Sequence, residues 1–461
     1  MTLALAFLLF AADDLPQLVK KFVDVFAMVE QEAADPVPID KAFYEGAIPA
    51  SLRPLDPHSV FFDPGQFEQL QQMQKSTSKG FGSVVSLLPG RVIVLQCLPG
   101  APMARSGISP GDEIVGINGI QLAYLDVEQL VQVLGGSRGQ PARIDVRRPS
   151  NARLLQFVLT PEEMQAPSVD RAFFLREGVG YVRIASFDNS TGKDVKAAIE
   201  KLGGAALKGL VLDMRNNPGG VLAAAIETAA LFLKPGQKIL SVKGRSVKGQ
   251  EVDVPSINVP YEFPVAVLLN GKSASSAEVV SGALQDNKRA KIVGETSYGK
   301  GLVESVFPLS SGTGIALTTA FYYTPSGRSI QKPLLGGTLD EATSKGEGGI
   351  KPDVQAGVER QTRLRAVLDG SGSFATFATE FIRANRDITA EFTLPARTID
   401  QFKVFLSQRN IQPGIGEWSS DSEWIASRLR QEILNQSAGV EKGDEVEMRR
   451  DPQVQAALRI L

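Results

Sequence analysis

The middle of the chain restricts the fold most, because strand-like and helix-like stretches alternate there. From about Gly178, apolar strand patterns that include GLVLDMR and PVAVLLN are separated by helical patterns that include VLAAAIETAALFL and SAEVVSGALQD. Strands and helices that alternate along a chain are typical of a sheet whose strands are joined by helical crossovers. The sequence therefore predicts an α/β core with crossover connections.

Regions of different character lie on both sides of this core. Residues 1–75 show helical spacing of apolar residues broken by several prolines, which predicts a small helical region. Residues 76–164 hold short β-rich runs and one prominent helix, DVEQLVQVL, and are predicted to form a small β-barrel-like domain. The core takes residues 165–360, in which the Gly-rich stretch 336–349 predicts a mobile surface loop. The remaining residues, 361–461, are predicted to be mainly helical.

Composition excludes several classes of function. The length of 461 residues predicts about three domains. The formal net charge is −2 and there is no long basic run, so the sequence offers no electrostatic basis for nucleic-acid binding. One histidine and one cysteine exclude a Cys/His zinc cluster and an intrachain disulfide. Cys97 is therefore expected to pack in a core.

The first residues bear on localisation. Residues 1–12 include the run TLALAFLLFAA, which resembles the apolar part of a secretory signal, although no Lys or Arg precedes it. This favours export to the periplasm or another extracytoplasmic space. The alternative is a cytoplasmic protein in which the same residues begin an amphipathic helix. Because the run is too short to span a bilayer and no other stretch is long enough, no integral membrane span is expected. The helical regions at both ends allow a homodimer.

The single histidine directs attention to lysine as a general base. A Ser-His-Asp hydrolase needs a histidine, but His58 lies in the helix-and-turn segment DPHS, where a structural role is expected. Lysine can take over this task if burial keeps its amine neutral. Lys300 lies between Gly299 and Gly301, where the backbone can pack closely around it. A hydrolase with a serine nucleophile and a lysine base is therefore the hypothesis.

Two predicted strand-loop-helix junctions carry the residues for such chemistry. One is DMRNNPGGVLAAA, with Gly219 and Gly220, and the other is LLNGKSASSAEVV, with Ser273, Ser275 and Ser276. Backbone N–H groups at the start of each helix would face a shared cleft and form an oxyanion hole. Taken singly, each loop has a plainer interpretation, as an ordinary turn or as serine helix caps.

Several motifs in the core follow one another in a characteristic order. They are NNPGG, SASSAE, GETSYGKG, YYTPSGRSIQ and KPDV. Together they resemble the C-terminal processing peptidases, or tail-specific proteases, a family of serine peptidases with a Ser-Lys dyad. The resemblance runs from about Asp56 to Val354. It implies a multidomain α+β protein that has a crotonase-like α/β protease core, an inserted PDZ domain, and helical N- and C-terminal regions. It implies no metal and no cofactor.

The resemblance also assigns roles to individual residues. It makes Ser275, the second serine of SAS, the nucleophile and Lys300, the lysine of YGKG, the base. The implied oxyanion donors are the backbone N–H groups of Gly220 and Ser276, where the family usually has alanine at the second position. Glu304 stands where the family usually has glutamine, and an ionised Glu304 beside the lysine would favour the ammonium form. Glu304 is therefore expected to be protonated, turned away, or a sign of reduced activity.

The region before the core looks like a PDZ domain in its GFG turn, its GAPMARSGISPGDEIVGING segment and its DVEQLVQVL helix. PDZ domains bind a C-terminal peptide as an added strand, and the N–H groups of a glycine-flanked loop hold the carboxylate. That loop is Gly80, Phe81 and Gly82. Phe81, with Leu130 and Val133, is predicted to line an apolar pocket, or else to be plain core.

These observations predict a serine endopeptidase. It recognises protein or peptide substrates by their free C-terminal tail and hydrolyses peptide bonds with a Ser-Lys dyad. The alternative is a catalytically inactive, PDZ-containing scaffold that only binds peptides. The departures from the family at Glu304 and Ser276 keep this alternative open.

Overall fold

The computed structural model describes most of the chain, namely residues 6–35, 38, 40–74, 77–148, 151–245, 249–333, 348–385 and 387–461. The predicted Gly-rich loop lies outside these residues except for its last two, and so do the first five residues of the predicted signal segment. The described residues form two compact units. The first unit contains the described residues of segments 1–69 and 303–320. The second unit contains the described residues of segments 70–302, 321–333 and 343–461.

The N-terminal region is helical, as the sequence predicts. Its elements are α1 (Ala6–Glu32), a π-helical turn (Lys41–Ala47), α2 (Ile48–Leu52), β1 (Val60–Phe62) and α3 (Pro64–Gln74). Phe43 of the π-helical turn packs edge-on against Phe22 and Phe26 of α1. In the part of the chain that the structure describes, no helix combines the length and apolarity needed to cross a membrane.

The predicted PDZ domain is an antiparallel β-domain with one long helix. Its elements are β2 (Thr77–Gly80), β3 (Ser83–Leu88), β4 (Arg91–Cys97), α4 (Pro102–Arg105), β5 (Glu113–Ile117), β6 (Ile120–Gln121), α5 (Val127–Ser137), β7 (Ala142–Arg147), β8 (Leu155–Leu159) and β9 (Glu162–Gln165). One sheet has the order β3-β4-β5-β7-β8, with β6 beside β5, and β2 pairs with β9. Asp126 and Gln129 begin α5 with a reciprocal capping box. Leu130 of this helix and Ile144 of β7 are buried in the domain's own core, against which Cys97 packs.

The α/β core follows in the chain. Its elements are β10 (Val169–Arg176), β11 (Val179–Ile184), α6 (Thr191–Lys201), β12 (Gly209–Asp213), α7 (Leu222–Ala230), β13 (Lys238–Lys243), β14 (Gln250–Asp253), β15 (Val265–Leu269), α8 (Ser276–Asp286), β16 (Ala290–Gly294), β17 (Leu302–Pro308), β18 (Gly314–Tyr323) and β19 (Val354–Gln355). One sheet has the order β10-β11-β12-β15-β16-β19 and is parallel except for the first pair. Every residue of β12 and β15 is buried, as in a parallel sheet covered on both faces. The predicted α/β core is confirmed.

The order of this sheet decides where its loops meet. Strands β12, β15 and β16 are parallel neighbours, so their carboxyl ends lie at one edge. The loops that follow them carry Gly220, Ser275 and Lys300, in that order. Ligands of open α/β sheets bind at this kind of edge.

The remaining strands form antiparallel ladders within each unit. In the second unit, β13 pairs with β14 and with residues 321–323 of β18. In the first unit, β1 pairs with residues 314–316 of β18. The side chains of Ser305 on β17 and Thr319 on β18 are 2.8 Å apart there.

The C-terminal region is helical. It contains α9 (Arg363–Gly370), α10 (Ser373–Ala384), α11 (Ala396–Ser407), α12 (Ile415–Ser437), α13 (Val440–Met448) and α14 (Pro452–Leu458). An aromatic cluster that includes Phe374, Phe402 and Trp424 forms the core of its first helices. By contrast, Val454 and Ala457 of α14 are buried in the cluster of the six-stranded sheet. The last helix therefore packs with the α/β core, although the sequence predicts a boundary at residue 361. The crotonase-like arrangement and the other domain boundaries stay predictions.

Candidate active site

Ser275 lies at a sharp turn between β15 and α8. It precedes the first residue of the helix and has φ 54° and ψ −117°, a backbone conformation that residues other than glycine rarely adopt. Strained strand-to-helix turns of this kind carry nucleophilic serines in other hydrolases. The local geometry is therefore suited to a nucleophile.

A buried carboxylate connects Ser275 to Lys300. Glu278, in the first turn of α8, has no exposed surface. Its Oε2 accepts the backbone N–H of Ser275 at 2.8 Å and that of Lys300 at 2.9 Å. Its Oε1 accepts the hydroxyl of Ser297 at 2.6 Å and the N–H of Gly299 at 2.7 Å. Burial raises the pKa of Glu278 despite these four hydrogen bonds, which act to lower it. One side chain thus holds the backbones of both predicted dyad residues.

A buried tyrosine makes a second connection between the same two residues. The Tyr322 hydroxyl on β18 lies 2.8 Å from the carbonyl oxygen of Lys300 and 3.2 Å from that of Ser275. Burial and the nearby Glu278 raise the pKa of Tyr322 well above its usual value, so the hydroxyl keeps its proton and donates. In both predicted dyad residues, the backbone N–H is thus hydrogen-bonded to Glu278 and the backbone C=O to Tyr322.

The loop after β12 provides the predicted oxyanion donors. Gly219 has φ 96°, and a Cβ atom there would lie 2.6 Å from the Cβ of Ser275. Gly220 has φ 141°, and its Cβ would lie 1.9 Å from the carbonyl oxygen of Phe187, so both positions require glycine. Among the hydrogen bonds of the described residues, none uses the N–H of Gly220 or of Ser276. The Ser276 hydroxyl donates to the Gly220 carbonyl at 2.9 Å, which connects the two loops.

Fully buried polar side chains fix these loops to each other. The Ser273 hydroxyl donates to the Met214 carbonyl at 2.8 Å and accepts the Asn270 N–H at 3.0 Å. Asn217 donates from its side chain to Ile184 at 2.7 Å, and its own carbonyl accepts the N–H of Ala274 at 2.9 Å. Ser273 therefore ties the two loops together rather than capping a helix.

Lys300 follows β16 and is half-buried. Glycines on both sides allow close packing of the backbone: a Cβ at Gly299 would lie 2.9 Å from the Gly349 nitrogen, and one at Gly301 would lie 3.0 Å from the Gln331 nitrogen. The structure therefore brings Ser275, Ser276, Gly220 and Lys300 to one edge of the sheet.

Glu304 belongs to the other unit, where it contacts the single histidine. Its Oε1 lies 3.7 Å from Nδ1 of His58. The His58 backbone N–H donates to buried Asp56 at 2.8 Å, and the same carboxylate accepts the N–H and hydroxyl of Ser59. Thr318 on β18 donates its hydroxyl to Asp56 at 3.1 Å. The DPHS segment is thus a turn organised by Asp56, in agreement with the structural role expected for it.

The predicted PDZ loop borders a cavity of about 170 Å³. Its lining includes Gly80, Phe81 and Gly82 from the loop, Leu134, Ser137 and Arg138 from the end of α5, and Met103, Ile117, Ile144 and Met164. The pocket predicted from Leu130 and Val133 needs correction. Leu130 has no exposed surface, and Val133 packs against the domain core. The cavity opens toward the C-terminal end of α5, so the leucine one turn later, Leu134, lines it.

Sequence reasoning missed Glu278 and Tyr322. Glu278 ends the SASSAE motif, and its position three residues after Ser275 carried a signal, because that spacing is typical of a helix capping box. Tyr322 lies in the YYTPSGRSIQ motif, but nothing in its local pattern points to Lys300. Among the described residues there is no group of three or more His, Cys, Asp or Glu placed to hold a metal ion.

Comparison with known proteins identifies two domains in the chain. The sequence model of peptidase family S41 matches residues 178–356, and that of a PDZ domain matches residues 93–148. A carboxy-terminal-processing protease of Bartonella bacilliformis is 34% identical over 316 residues, which are 68% of this chain and 72% of that protein. The fold, the loops at the sheet edge and these matches define a serine-type peptidase with a PDZ domain. The chain belongs to peptidase family S41, among relatives named carboxy-terminal processing proteases.

Other similar proteins cover the chain to differing extents. Carboxyl-terminal-processing peptidase 2, chloroplastic, of Arabidopsis thaliana is 34% identical over 60% of this chain and 56% of that protein. Carboxy-terminal processing protease CtpB of Bacillus subtilis is 30% identical over 68% of this chain and 65% of that protein. A solved photosystem II D1 C-terminal processing protease is 28% identical, with a TM-score of 0.42 over 72% of this chain and 86% of that one.

Proposed function

We propose that this chain is a serine endopeptidase that cleaves proteins by acyl transfer, with Ser275 as nucleophile and Lys300 as general base. The observation that carries the proposal is the Glu278 carboxylate oxygen that accepts the backbone N–H of both residues, at 2.8 and 2.9 Å. Two residues of the types required for a Ser-Lys dyad are thereby held on adjacent loops. Preorganised positions of this kind lower the entropic cost of reaction.

The proposed reaction uses four groups. The hydroxyl oxygen of Ser275 attacks the scissile carbonyl carbon while its proton passes to the side-chain nitrogen of Lys300. The carbonyl oxygen becomes negative and accepts hydrogen bonds from the N–H groups of Gly220 and Ser276. The C–N bond then breaks as the leaving amine takes the proton from Lys300, which leaves an ester on Ser275. Water hydrolyses this ester by the same steps, with Lys300 again taking and returning a proton.

We also propose that the PDZ domain selects substrates by their free C-terminal tail. Strand β3 is an edge strand of its sheet, so a peptide can add beside it as a further strand. The glycine-flanked loop at residues 80–82 lies at the start of this strand and borders the cavity described above. Backbone N–H groups of such a loop match a terminal carboxylate.

The proposed dyad is tested by single substitutions. Ser275→Ala and Lys300→Ala should each reduce hydrolysis of an unstructured protein to background, whereas the exposed positions Ser256→Ala and Lys291→Ala should keep wild-type rates. Circular dichroism checks that the variants fold. Normal turnover by a folded Ser275→Ala or Lys300→Ala variant would refute the assignment.

Tail selection has a separate test. A peptide substrate with a free, apolar C-terminus should have a lower KM than the same peptide with an amidated C-terminus. Equal KM values for the two peptides would argue against recognition of the tail by the PDZ loop.

A second candidate function is a peptide-binding scaffold without activity. It is favoured by Glu304 and Ser276, which stand where the family usually carries glutamine and alanine. A wild-type protein that binds tailed peptides but does not cleave them, under conditions in which its fold is intact, would support this candidate.

Four expectations from the sequence remain proposals. They are the boundaries of the PDZ domain at residues 76–164 and of the core at 165–360, export with residues 1–12 as a signal segment, activity without a metal or cofactor, and a homodimer.

A further inference from the structure

The strand end that leads into the Gly219–Gly220 loop is held by a largely buried arginine. Arg215 follows β12, and its Nη2 donates to Asp213 at 2.6 Å. Its Nη1 points to the C-terminal segment, where it donates to Asp451 at 2.7 Å and to the side-chain oxygen of Gln453 at 2.8 Å. Only 13% of the Arg215 side chain is exposed. The tie therefore joins the active-site loop to a segment more than 200 residues later in the chain.

The two oxygens of Asp451 have separate partners. Oδ1 accepts the backbone N–H groups of Gln453 at 2.8 Å and Val454 at 2.9 Å, which caps α14. Oδ2 accepts the Arg215 guanidinium. Gln453, which is 1% exposed, donates its amide to the Ala356 carbonyl at 2.8 Å and so is itself fixed.

A short, rigid path leads from Arg215 to the predicted oxyanion donor. The next residue, Asn216, has φ 58° and donates its N–H to the Asn270 side chain at 3.0 Å. The buried side chain of Asn217 accepts the Gly219 N–H at 2.8 Å. Because Asn216 and Asn217 are restrained in this way, a displacement of the arginine would move the Gly220 N–H.

We propose that Asp451 and Gln453 are positioning residues of the active site, which act through Arg215 on the Gly219–Gly220 loop. This inference rests on the proposed role of Gly220 as an oxyanion donor. It assigns a function to a segment beyond residues 178–356, the part that matches the family. Oxyanion donors must be aligned with the charge that develops in the transition state, so a small displacement lowers kcat more than it changes KM.

A second acidic residue provides a matched control. Asp444, at the preceding helix, forms an ion pair with Arg171 on β10 and lies 3.9 Å from Arg183 on β11. It thus also ties the C-terminal segment to an arginine of the sheet. The side chains of its two arginine partners are held by Asp170 and Asp444, and not by Arg215 or its acidic partners.

The test compares Asp451→Asn with Asp444→Asn in the full-length protein. Asparagine at 451 keeps an oxygen that can cap α14 but places an amide against Arg215. We expect Asp451→Asn to lower kcat about tenfold with KM within twofold. We expect the inhibition constant of a peptide aldehyde, which forms an oxyanion on the serine, to rise about tenfold. Asp444→Asn should leave both quantities within twofold, while the two Tm values fall by similar amounts.

A second variant keeps the test decisive if Asp451→Asn folds poorly. Gln453→Met approximates the shape of the side chain and removes its hydrogen bonds to Arg215 and to the Ala356 carbonyl. We expect kcat to fall about threefold with KM unchanged. Equal kcat values for the folded 451 or 453 variant and Asp444→Asn would overturn the inference. If wild type and Ser275→Ala have the same activity, the proposed function fails instead, so the two failures are distinguishable.

Discussion

The candidate active-site loops and the PDZ groove, which is the cavity beside residues 80–82, are held in place by different kinds of side chain. Around the loops, Glu278, Ser273 and Asn217 have no exposed surface, and each makes hydrogen bonds to the backbone of a neighbouring loop. The groove is lined mainly by apolar side chains such as Phe81 and Leu134, which keep part of their surface exposed.

This difference matches the two tasks that we propose. Directional hydrogen bonds to buried groups fix a backbone to within fractions of an ångström, which proton transfer and an oxyanion hole require. Apolar contacts are non-directional, so a groove lined by them tolerates tails of different sequence. Substitutions around the loops should therefore change kcat, and substitutions in the groove should change KM.

Among substitutions that leave the proposed dyad in place, the largest effect is expected for Glu278→Gln. Glutamine can accept hydrogen bonds at only one of the two terminal atoms, so two of the four hydrogen bonds to Ser297, Gly299, Ser275 and Lys300 are lost. We expect kcat to fall by about 100-fold or more, and the free energy of unfolding to fall by about 2–4 kcal/mol. The measurements are peptidase kinetics and denaturant unfolding, with exposed Glu295→Gln as control. A kcat within twofold of wild type would show that the buried hydrogen bonds around the loops do not control kcat.

The same residue predicts a pH dependence of stability. Burial raises the pKa of Glu278 in the folded protein, so the folded state binds more protons than the unfolded state between the ordinary and the raised pKa. This contribution makes wild-type stability decrease as pH rises through that range. Glu278→Gln removes it, so unfolding free energies measured from pH 4 to pH 8 should show a smaller decrease for the variant than for wild type.

A smaller effect, confined to KM, is expected for Gly82→Ala in the PDZ loop. Gly82 has φ 74°, and an added Cβ would lie 2.1 Å from the Cβ of Ala101 and 2.8 Å from the sulfur of Met164. Gly100 has the same φ, but a Cβ there meets nothing within 4 Å, so Gly100→Ala is a control for backbone strain alone. We expect KM for tailed substrates to rise about tenfold in Gly82→Ala with kcat unchanged. A fall in kcat instead would show that the groove also shapes the active site.

Glu304→Gln tests a residue that is neither fully buried nor apolar. The Glu304 side chain is 26% exposed and contacts His58. Glutamine is the residue that the family usually has at this position, so we expect Glu304→Gln to raise kcat/KM at pH 7 about twofold. Fully exposed Glu177→Gln is the control. A kcat/KM below that of wild type would show that the carboxylate itself supports the reaction.

The smallest effect on catalysis is expected for a substitution of Cys97. Burial, with a further contribution from Asp112, raises the pKa of its thiol to about 11, so almost no thiolate is present at pH 8. Alkylation by iodoacetamide, followed by mass spectrometry, should be about 100-fold slower in the folded than in the denatured protein. Cys97→Ser should leave kcat and KM within twofold. Rapid alkylation of the folded protein would contradict the assignment of Cys97 to the core.

The sequence predicted the parts of the site that depend on local pattern. Gly220 and Ser275 follow apolar strands and precede helices, and their glycine and serine motifs are visible without a structure. Glu278 was hidden because an acidic residue in the first turn of a helix has an ordinary explanation as a cap. In the structure Glu278 also accepts hydrogen bonds from the Lys300 loop. That loop lies near Glu278 because β15 and β16 are parallel neighbours in the sheet, which the sequence does not state.

Other features depend on distances that a sequence does not contain. The contact of His58 with Glu304 joins positions far apart in the chain. The choice between Leu130 and Leu134 as a groove residue depends on where α5 crosses its sheet, since the two lie on the same helical face. The packing of α14 against the six-stranded sheet was missed because its apolar residues fit a helical C-terminal region equally well.

The place of α14 has a consequence for biosynthesis. A ribosome releases the Ser275 and Lys300 loops well before it releases Asp451 and Gln453, because translation runs from the N-terminus. In the folded protein Arg215 binds two acidic residues, Asp213 and Asp451. During that interval only Asp213 is available to it. A nascent chain would therefore carry the proposed nucleophile and base before the support of the proposed oxyanion loop exists. If these proposals hold, full proteolytic capacity is reached only after the last helix has been synthesised and has docked.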